Sequence, residues 1–302
     1  MAFNAPRSYI LLSIGAAVAT IVLKTAAWQL TGSVGLLSDA IESVVNLVAA
    51  LAAFGALSLA AKPADRRHHY GHFKAEYFSS GLESALILVA AVAILYTAVG
   101  RLFEPQPLGP LDVGLALSLV ATALNGLVAL LLLRAARRFD SITLRADAHH
   151  LLTDVWTSIG VVASLLLVPL TGLTLLDPLV AIAVAINILG TGWRLLRETA
   201  SGLMDRSLPE SEQQLLEAVL ASHAGTSVAF HAVRTRVAGS RRFVSLHVLV
   251  PGAWSVQTGH DYCEALEREI VALLPRAHVF THLEPIEDPV AWNDGGFQWD
   301  QG

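Results

Sequence analysis

Asp147-Ala148-His149-His150-Leu151-Leu152-Thr153-Asp154 stands at the mouth of an apolar run that continues through Val155, Ile159, Val161, Val162 and Leu165 to Val168. A run of that length reads as a helix, on which Asp147, His150 and Asp154 fall at i, i+3 and i+7 and share one face. Three side chains able to bind a metal are therefore expected to point the same way. An ionisable group within bilayer hydrocarbon costs about 2.5 to 3.5 kcal/mol on insertion scales, so such a cluster needs partners and usually marks a pathway. The plainer reading is a polar patch joining two helices.

The rest of the chain places this helix in a membrane. Of 302 residues, 54% are apolar and 15% charged, with a mean hydropathy of +0.56. Stretches of about 20 apolar residues, the length a bilayer requires, run over 9–30, 34–61, 81–103, 111–133, 142–168 and 175–196. Six crossings put both termini on one side. The first run, after Arg7, is too long for a signal-peptide core and is expected to be retained. Arg7, Lys62, Arg66, Arg67, Lys74, Arg134, Arg137, Arg138, Arg145, Arg194, Arg197 and Arg206 collect on one side, with only Arg101 opposite. Basic loops favour the cytoplasm, so both ends are expected there. The net charge of -5 leaves no nucleic-acid footprint, and the single cysteine, Cys263, excludes an internal disulfide.

Span two repeats the pattern. Asp39, Glu42 and Asn46 are again at i, i+3 and i+7, and spans two and five run in opposite directions, so their stripes can meet near mid-membrane. The expected site is Glu42 and Asn46 from one helix with His150 and Asp154 from the other. Lys24 in span one asks for a carboxylate partner, and Asp39 is a candidate for it or for a relay to the site. Glu83, Asn125 and Asn187 read as interhelical hydrogen-bonding groups.

The loop after span two carries Asp65, His68 and His72, a spacing and donor set suited to zinc, although a His-rich loop can also simply be solvated. Beyond Pro209 the composition becomes that of a soluble domain. An amphipathic helix with Leu215, Leu216, Val219 and Leu220 is followed by strands over 228–237 and 243–250, a helix over 256–274 and a strand over 277–284. The order αββαβ indicates a ferredoxin-like α+β fold. His231, His247, His260, His282 and Glu284 are five candidate ligands in it. The expected division is a six-helix transmembrane domain over 1–206, the α+β domain over 207–288 and a loose tail over 289–302.

With both stripes, the His-rich loop and the histidine-bearing domain in view, the chain resembles the cation diffusion facilitators, a family of homodimeric divalent-metal/proton antiporters. The resemblance reaches to about Asp288. His150 and Asp154 match the family's His-x-x-x-Asp, and Asp65, His68 and His72 match its loop metal site. Lys74 and Asp205 match a charged pair that locks the transmembrane halves together. His231, His247, His260, His282 and Glu284 resemble the set holding a two-metal cluster between cytoplasmic domains. Zinc-type relatives usually carry Asp or His and then Asp in span two; here those positions are Glu42 and Asn46, which leaves two carboxylates at the site. The resemblance implies efflux of Zn²⁺, with Fe²⁺, Co²⁺, Cd²⁺ or Mn²⁺ behind it, in exchange for protons across the cytoplasmic membrane. A membrane-anchored metal sensor and a passive cation channel are the competing readings. An intramembrane metalloprotease is disfavoured because no His-Glu-x-x-His helix is present.

Overall fold

A computed structural model of the chain describes residues 5–31, 34–103, 113–172 and 175–292. It divides into two compact units, Met1–Ser201 and Gly202–Gly302. The first is built from α1 (Pro6–Thr31), α2 (Val34–Ala60), α3 (Ala75–Phe103), α4 (Val113–Phe139), α5 (Ile142–Thr171) and α6 (Leu176–Leu203). Among the described residues, stretches of α1, α3, α4 and α6 are long and apolar enough to cross a membrane. Their outward residues, Val22, Val89, Tyr96 and Leu127 among them, are apolar, whereas Ser13, Asn46, Ser80, Glu83 and Asn125 are buried. Polar groups inside and apolar ones outside is the arrangement that lipid imposes.

Helix α6 runs to Leu203, past 196, and two more helices extend beyond the sequence expectation. Helix α3 begins at Ala75, six residues before position 81, and α4 continues to Phe139, past 133. In both extensions one face is buried, by Glu76, Tyr77, Ser79 and Ser80 in α3 and by Ala135 and Ala136 in α4. Packing carries a helix beyond its apolar window, so hydropathy alone stops short.

Helix α5 lies between two apolar clusters. Leu144, Ala148 and Leu151 pack with Ile10, Ala53, Leu57, Val128 and Leu132, while Ile142 and Ala146 pack with Tyr77, Ile87, Ile188 and Leu195. The turn feeding α5 is tight. Asp140 takes a left-handed φ of 52°, and the Ser141 amide donates to Ala136 O at 3.1 Å, closing α4 with a Schellman-type bond. Ser141 Oγ then caps α5 by accepting from the Leu144 amide at 3.4 Å and donates to the Glu76 carboxylate of α3. Helices α3 and α6 meet closely at Gly192, where a Cβ would stand 2.9 Å from Ile87 Cγ2.

The second unit runs α7 (Glu210–His223), β1 (Ala229–Ala238), β2 (Arg241–Val250), α8 (Val256–Leu273) and β3 (Ala277–Pro285), with a 3-10 turn at Pro289–Trp292. It is the small α+β fold that the order αββαβ indicates. The sheet order is β1-β2-β3, with β1 antiparallel and β3 parallel to β2. One face packs Val244, Leu246 and Val248 against Leu216 and Val219 of α7 and Cys263, Leu266 and Ile270 of α8. Leu215, expected in the apolar stripe of α7, is 45% exposed. The segment expected as a loose tail starts with an ordered turn, since Trp292 Nε1 donates to Ile286 O at 3.0 Å.

Candidate metal centres

The polar stripes of α2 and α5 meet through Asn46. Its Nδ2 donates to Asp154 Oδ2 at 2.6 Å, and its Oδ1 lies 2.7 Å from His150 Nε2. Because Oδ1 can only accept, that contact places the imidazole proton on Nε2. Asn46 is 3% exposed and His150 and Asp154 are each 7% exposed, so the linkage is internal. Asn125 of α4 adds a second donor to Asp154 Oδ2 at 3.1 Å, which makes it an interhelical bonding group next to the site. His150 Nδ1 and Asn125 Oδ1 are buried without a hydrogen-bond partner. Two orphaned lone pairs beside a carboxylate are what a cation would satisfy. The side chains of Glu42 and Asp39 lie outside the described residues.

Asp147 shares the helix face but meets other partners. Its Oδ1 accepts from Ser13 Oγ of α1 at 3.1 Å, because one turn toward the loop α5 faces α1 and α3. Glu83, expected to bridge helices, accepts from Ser79 of its own helix at 3.2 Å, and Asn187 points outward from α6. Lys24 is buried on α1, with no carboxylate partner among the described residues.

In the loop, Asp65 faces both histidines, His68 Nδ1 at 3.3 Å from Oδ1 and His72 Nε2 at 3.4 Å from Oδ2. The amides of Arg67 and His68 both donate to Asp65 Oδ1 at 2.8 Å. These backbone N–H groups, Arg67 first, hold the Asp65 carboxyl below the usual carboxylate range. Gly71, at φ 83°, makes the turn that brings His72 back. His72 Nδ1 is buried and unpartnered. One carboxylate and two imidazoles within 4.8 Å of one another fit a zinc-like ion.

In the second unit the strand register does the assembling. His231 pairs with His247 across β1-β2, and His247 with His282 across β2-β3. The three imidazoles form one row on the sheet face opposite α7 and α8. Glu284 collects them: Oε2 lies 3.1 Å from His231 Nε2 and 2.9 Å from His247 Nδ1, and Oε1 3.5 Å from His282 Nε2. A bulge between His231 and Arg234, with Ala232 at φ 50°, sets His231 on this face. His231, His247 and Glu284 have ligand atoms within 4.8 Å of one another, and His282 stands beside them with its ring 4.9 Å from that of His247. His260 does not join them. It is exposed on α8, in the helical layer on the other side of the sheet. Lys74 and Asp205 belong to different units, and Asp205 accepts from Arg236 Nη1 at 3.1 Å.

The cation efflux transmembrane domain matches residues 10–204, and the cytoplasmic domain of cation efflux proteins matches 208–286. The chain belongs to the cation diffusion facilitator family. It is thus a membrane-spanning cation efflux transporter, in a family of transporters rather than enzymes. Among relatives, an uncharacterized transporter of Synechocystis sp., sll1263, is 57% identical over 286 residues, 95% of this chain and 92% of that one. The cation-efflux pump FieF of Serratia proteamaculans is 31% identical over 265 residues, 88% of each chain. A solved chain of CzrB, a candidate zinc transporter, is 33% identical over 26% of this chain and 96% of that one, with a TM-score of 0.25. Within the family frame, sequence reasoning brought Asn46 to His150 and Asp154 but did not pick out the second donor on Asp154, Asn125, or the β1 bulge. The first had a signal, an amide in an apolar span; the second had none.

Proposed function

We propose that this facilitator exports divalent metal ions, Zn²⁺ foremost, in exchange for protons across the cytoplasmic membrane, as a homodimer with both termini in the cytoplasm. Fe²⁺, Co²⁺, Cd²⁺ and Mn²⁺ are secondary substrates. The observation that carries this is Asn46, which joins His150 and Asp154 across two helices inside the transmembrane unit. Substrate ion displaces the Asn46 bridge and is held by Glu42, Asn46, His150 and Asp154. The carboxylates and the imidazole bind protons or metal competitively, the amide oxygen of Asn46 being a neutral metal donor, and an imidazole suits exchange near neutral pH.

Asp65, His68 and His72 form an accessory site at the membrane surface, and His231, His247, His282 and Glu284 form the cytoplasmic site. Metal at the latter draws two protomers together, and Lys74 and Asp205 act as an interlock. Asp39 relays ions or protons toward Glu42. The test is Zn²⁺ flux into liposomes carrying the full chain, with pH gradients of both signs. Flux follows the gradient in the wild type and vanishes in His150→Ala and in Asp154→Ala. Transport by both variants at wild-type rate would remove the site, and flux indifferent to the pH gradient would make the protein a channel.

A further inference from the structure

Asn125 of α4 stands beside the proposed ion site with one end of its amide in use and the other idle. Its Nδ2 donates to Asp154 Oδ2 at 3.1 Å, the same oxygen that Asn46 Nδ2 reaches at 2.6 Å. The residue is 2% exposed, and its Oδ1 is buried with no hydrogen-bond partner among the described residues. One turn further from the Ser141 corner, Thr122 of α4 donates to Ser158 of α5 at 2.9 Å, so the face that α4 turns toward Asp154 and Ser158 is polar over successive turns.

A tie between helices explains only half of this. A hydroxyl, such as Thr122 supplies, would give Asp154 a hydrogen bond without leaving a carbonyl bare, and a buried acceptor left unpaired costs about 1 to 3 kcal/mol. A cation at Asp154 relieves that cost. It repels the amide N–H groups, and a half-turn about the Cβ–Cγ bond of Asn125 exchanges Nδ2 for Oδ1. The oxygen then takes the place of the nitrogen, 3.1 Å from Asp154 Oδ2. Two oxygens bound to one ion at about 2.1 Å stand about 3.0 Å apart at a right angle and about 3.4 Å apart at the tetrahedral angle. The separation at Asn125 fits the right angle, which belongs to sites with more than four ligands.

We propose, resting on the ion-site reading above, that Asn125 is a specificity-determining ligand. Its Oδ1 joins Glu42, Asn46, His150 and Asp154 as a fifth donor and narrows the preference of the site for Zn²⁺ over Mn²⁺. The donors are then oxygens apart from the His150 nitrogen. Zn²⁺ is satisfied by four tetrahedral donors, and imidazole suits it well, whereas carboxylate and carbonyl oxygens in larger number suit Mn²⁺. Because the added oxygen is neutral, Asn125 changes the shape and hardness of the site without changing its charge.

The test compares the full chain in three forms: wild type, Asn125→Leu, which removes both ends of the amide, and Asn125→Asp, which keeps an oxygen and removes the N–H donor. Co²⁺ is the probe, because its visible absorption is intense in four-coordinate sites and weak when more ligands bind. The spectrum of the ion site is the difference between each protein and the same protein carrying His150→Ala, at saturating Co²⁺ and mildly alkaline pH. The expected band is weak in wild type and in Asn125→Asp and intense in Asn125→Leu. In liposomes the ratio of Mn²⁺ to Zn²⁺ flux should fall about tenfold in Asn125→Leu, the lower end of what losing a partner of a metal ligand does to affinity. An intense band in both variants would make Asn125 only a hydrogen-bond donor to Asp154 and overturn the proposal. Equal bands in wild type and Asn125→Leu, with an unchanged flux ratio, would overturn it too. If no band in any form depends on His150, the ion site falls and the proposal with it. Bands as expected in a wild type that moves neither ion would support Asn125 as a ligand and sink the transport reading instead.

Discussion

Asn46→Asp is the most informative single change at the proposed ion site. In the native chain the Asn46 amide faces Asp154 Oδ2 at 2.6 Å. An aspartate there replaces a donor with an anion. For an effective dielectric of about 20, two unit charges repel by about 4 kcal/mol at about 4 Å and about 6 kcal/mol at 2.6 Å. At about 1.36 kcal/mol per pH unit, that is roughly three to four and a half units of proton affinity. The empty variant site therefore keeps a proton between the two carboxylates, and an incoming divalent ion must displace it. The assay is calorimetric Zn²⁺ titration at several pH values in buffers of different ionisation enthalpy. The variant should release about one more proton per ion than the wild type, so its affinity climbs by about one extra power of ten per pH unit on the acid side of neutral. Identical proton release and identical pH slope would mean that position 46 and Asp154 do not serve one ion.

Other consequences can be checked more simply. Ala232 sits at φ 50° in the β1 bulge, so Ala232→Val should cost the second unit about 1 to 2 kcal/mol and Ala232→Gly should be neutral or stabilising, by urea unfolding. Matched midpoints for Val and Gly would contradict the bulge. Backbone N–H groups hold Asp65 ionised below the ordinary value of 3.8. Its depressed carboxyl stabilises the loop above that value and loses this contribution only as pH falls through the lower folded value. Asp65→Asn should therefore remove loop metal at every pH above the native value, read as one fewer bound ion per chain by equilibrium dialysis. Burial pushes the Cys263 thiol up, so maleimide should label the folded chain slowly and the urea-unfolded chain fast. Rapid labelling of folded protein would place Cys263 outside the core.

The helical segments and the αββαβ order were legible because both rest on local periodicity, apolar length in one half and alternation in the other. Pairing of Asn46 with His150 and Asp154 was legible for the same reason: equal spacing on antiparallel helices leaves few ways for the stripes to meet. What escaped depends on contacts distant in sequence. Asp147 has the spacing of a site residue but meets Ser13, which only packing against α1 decides. His260 has the right chemistry but stands in the helical layer, while the histidine row lies on the other face of the sheet. The left-handed residue at Ala232 has no compositional mark, yet it sets which way His231 points.

The depth of the proposed ion site is counted from a single hinge-like corner. Ser141 closes one helix, opens the next and is tied to Glu76, so His150 and Asp154 inherit their azimuth from it. Each inserted residue swings a helix by about 100° and lifts it by about 1.5 Å. A single added alanine between Ser141 and His150 would therefore turn both donors off Asn46 while leaving every side chain chemically intact. Angular phase, set where the chain doubles back, is as much a property of this centre as the identity of its ligands.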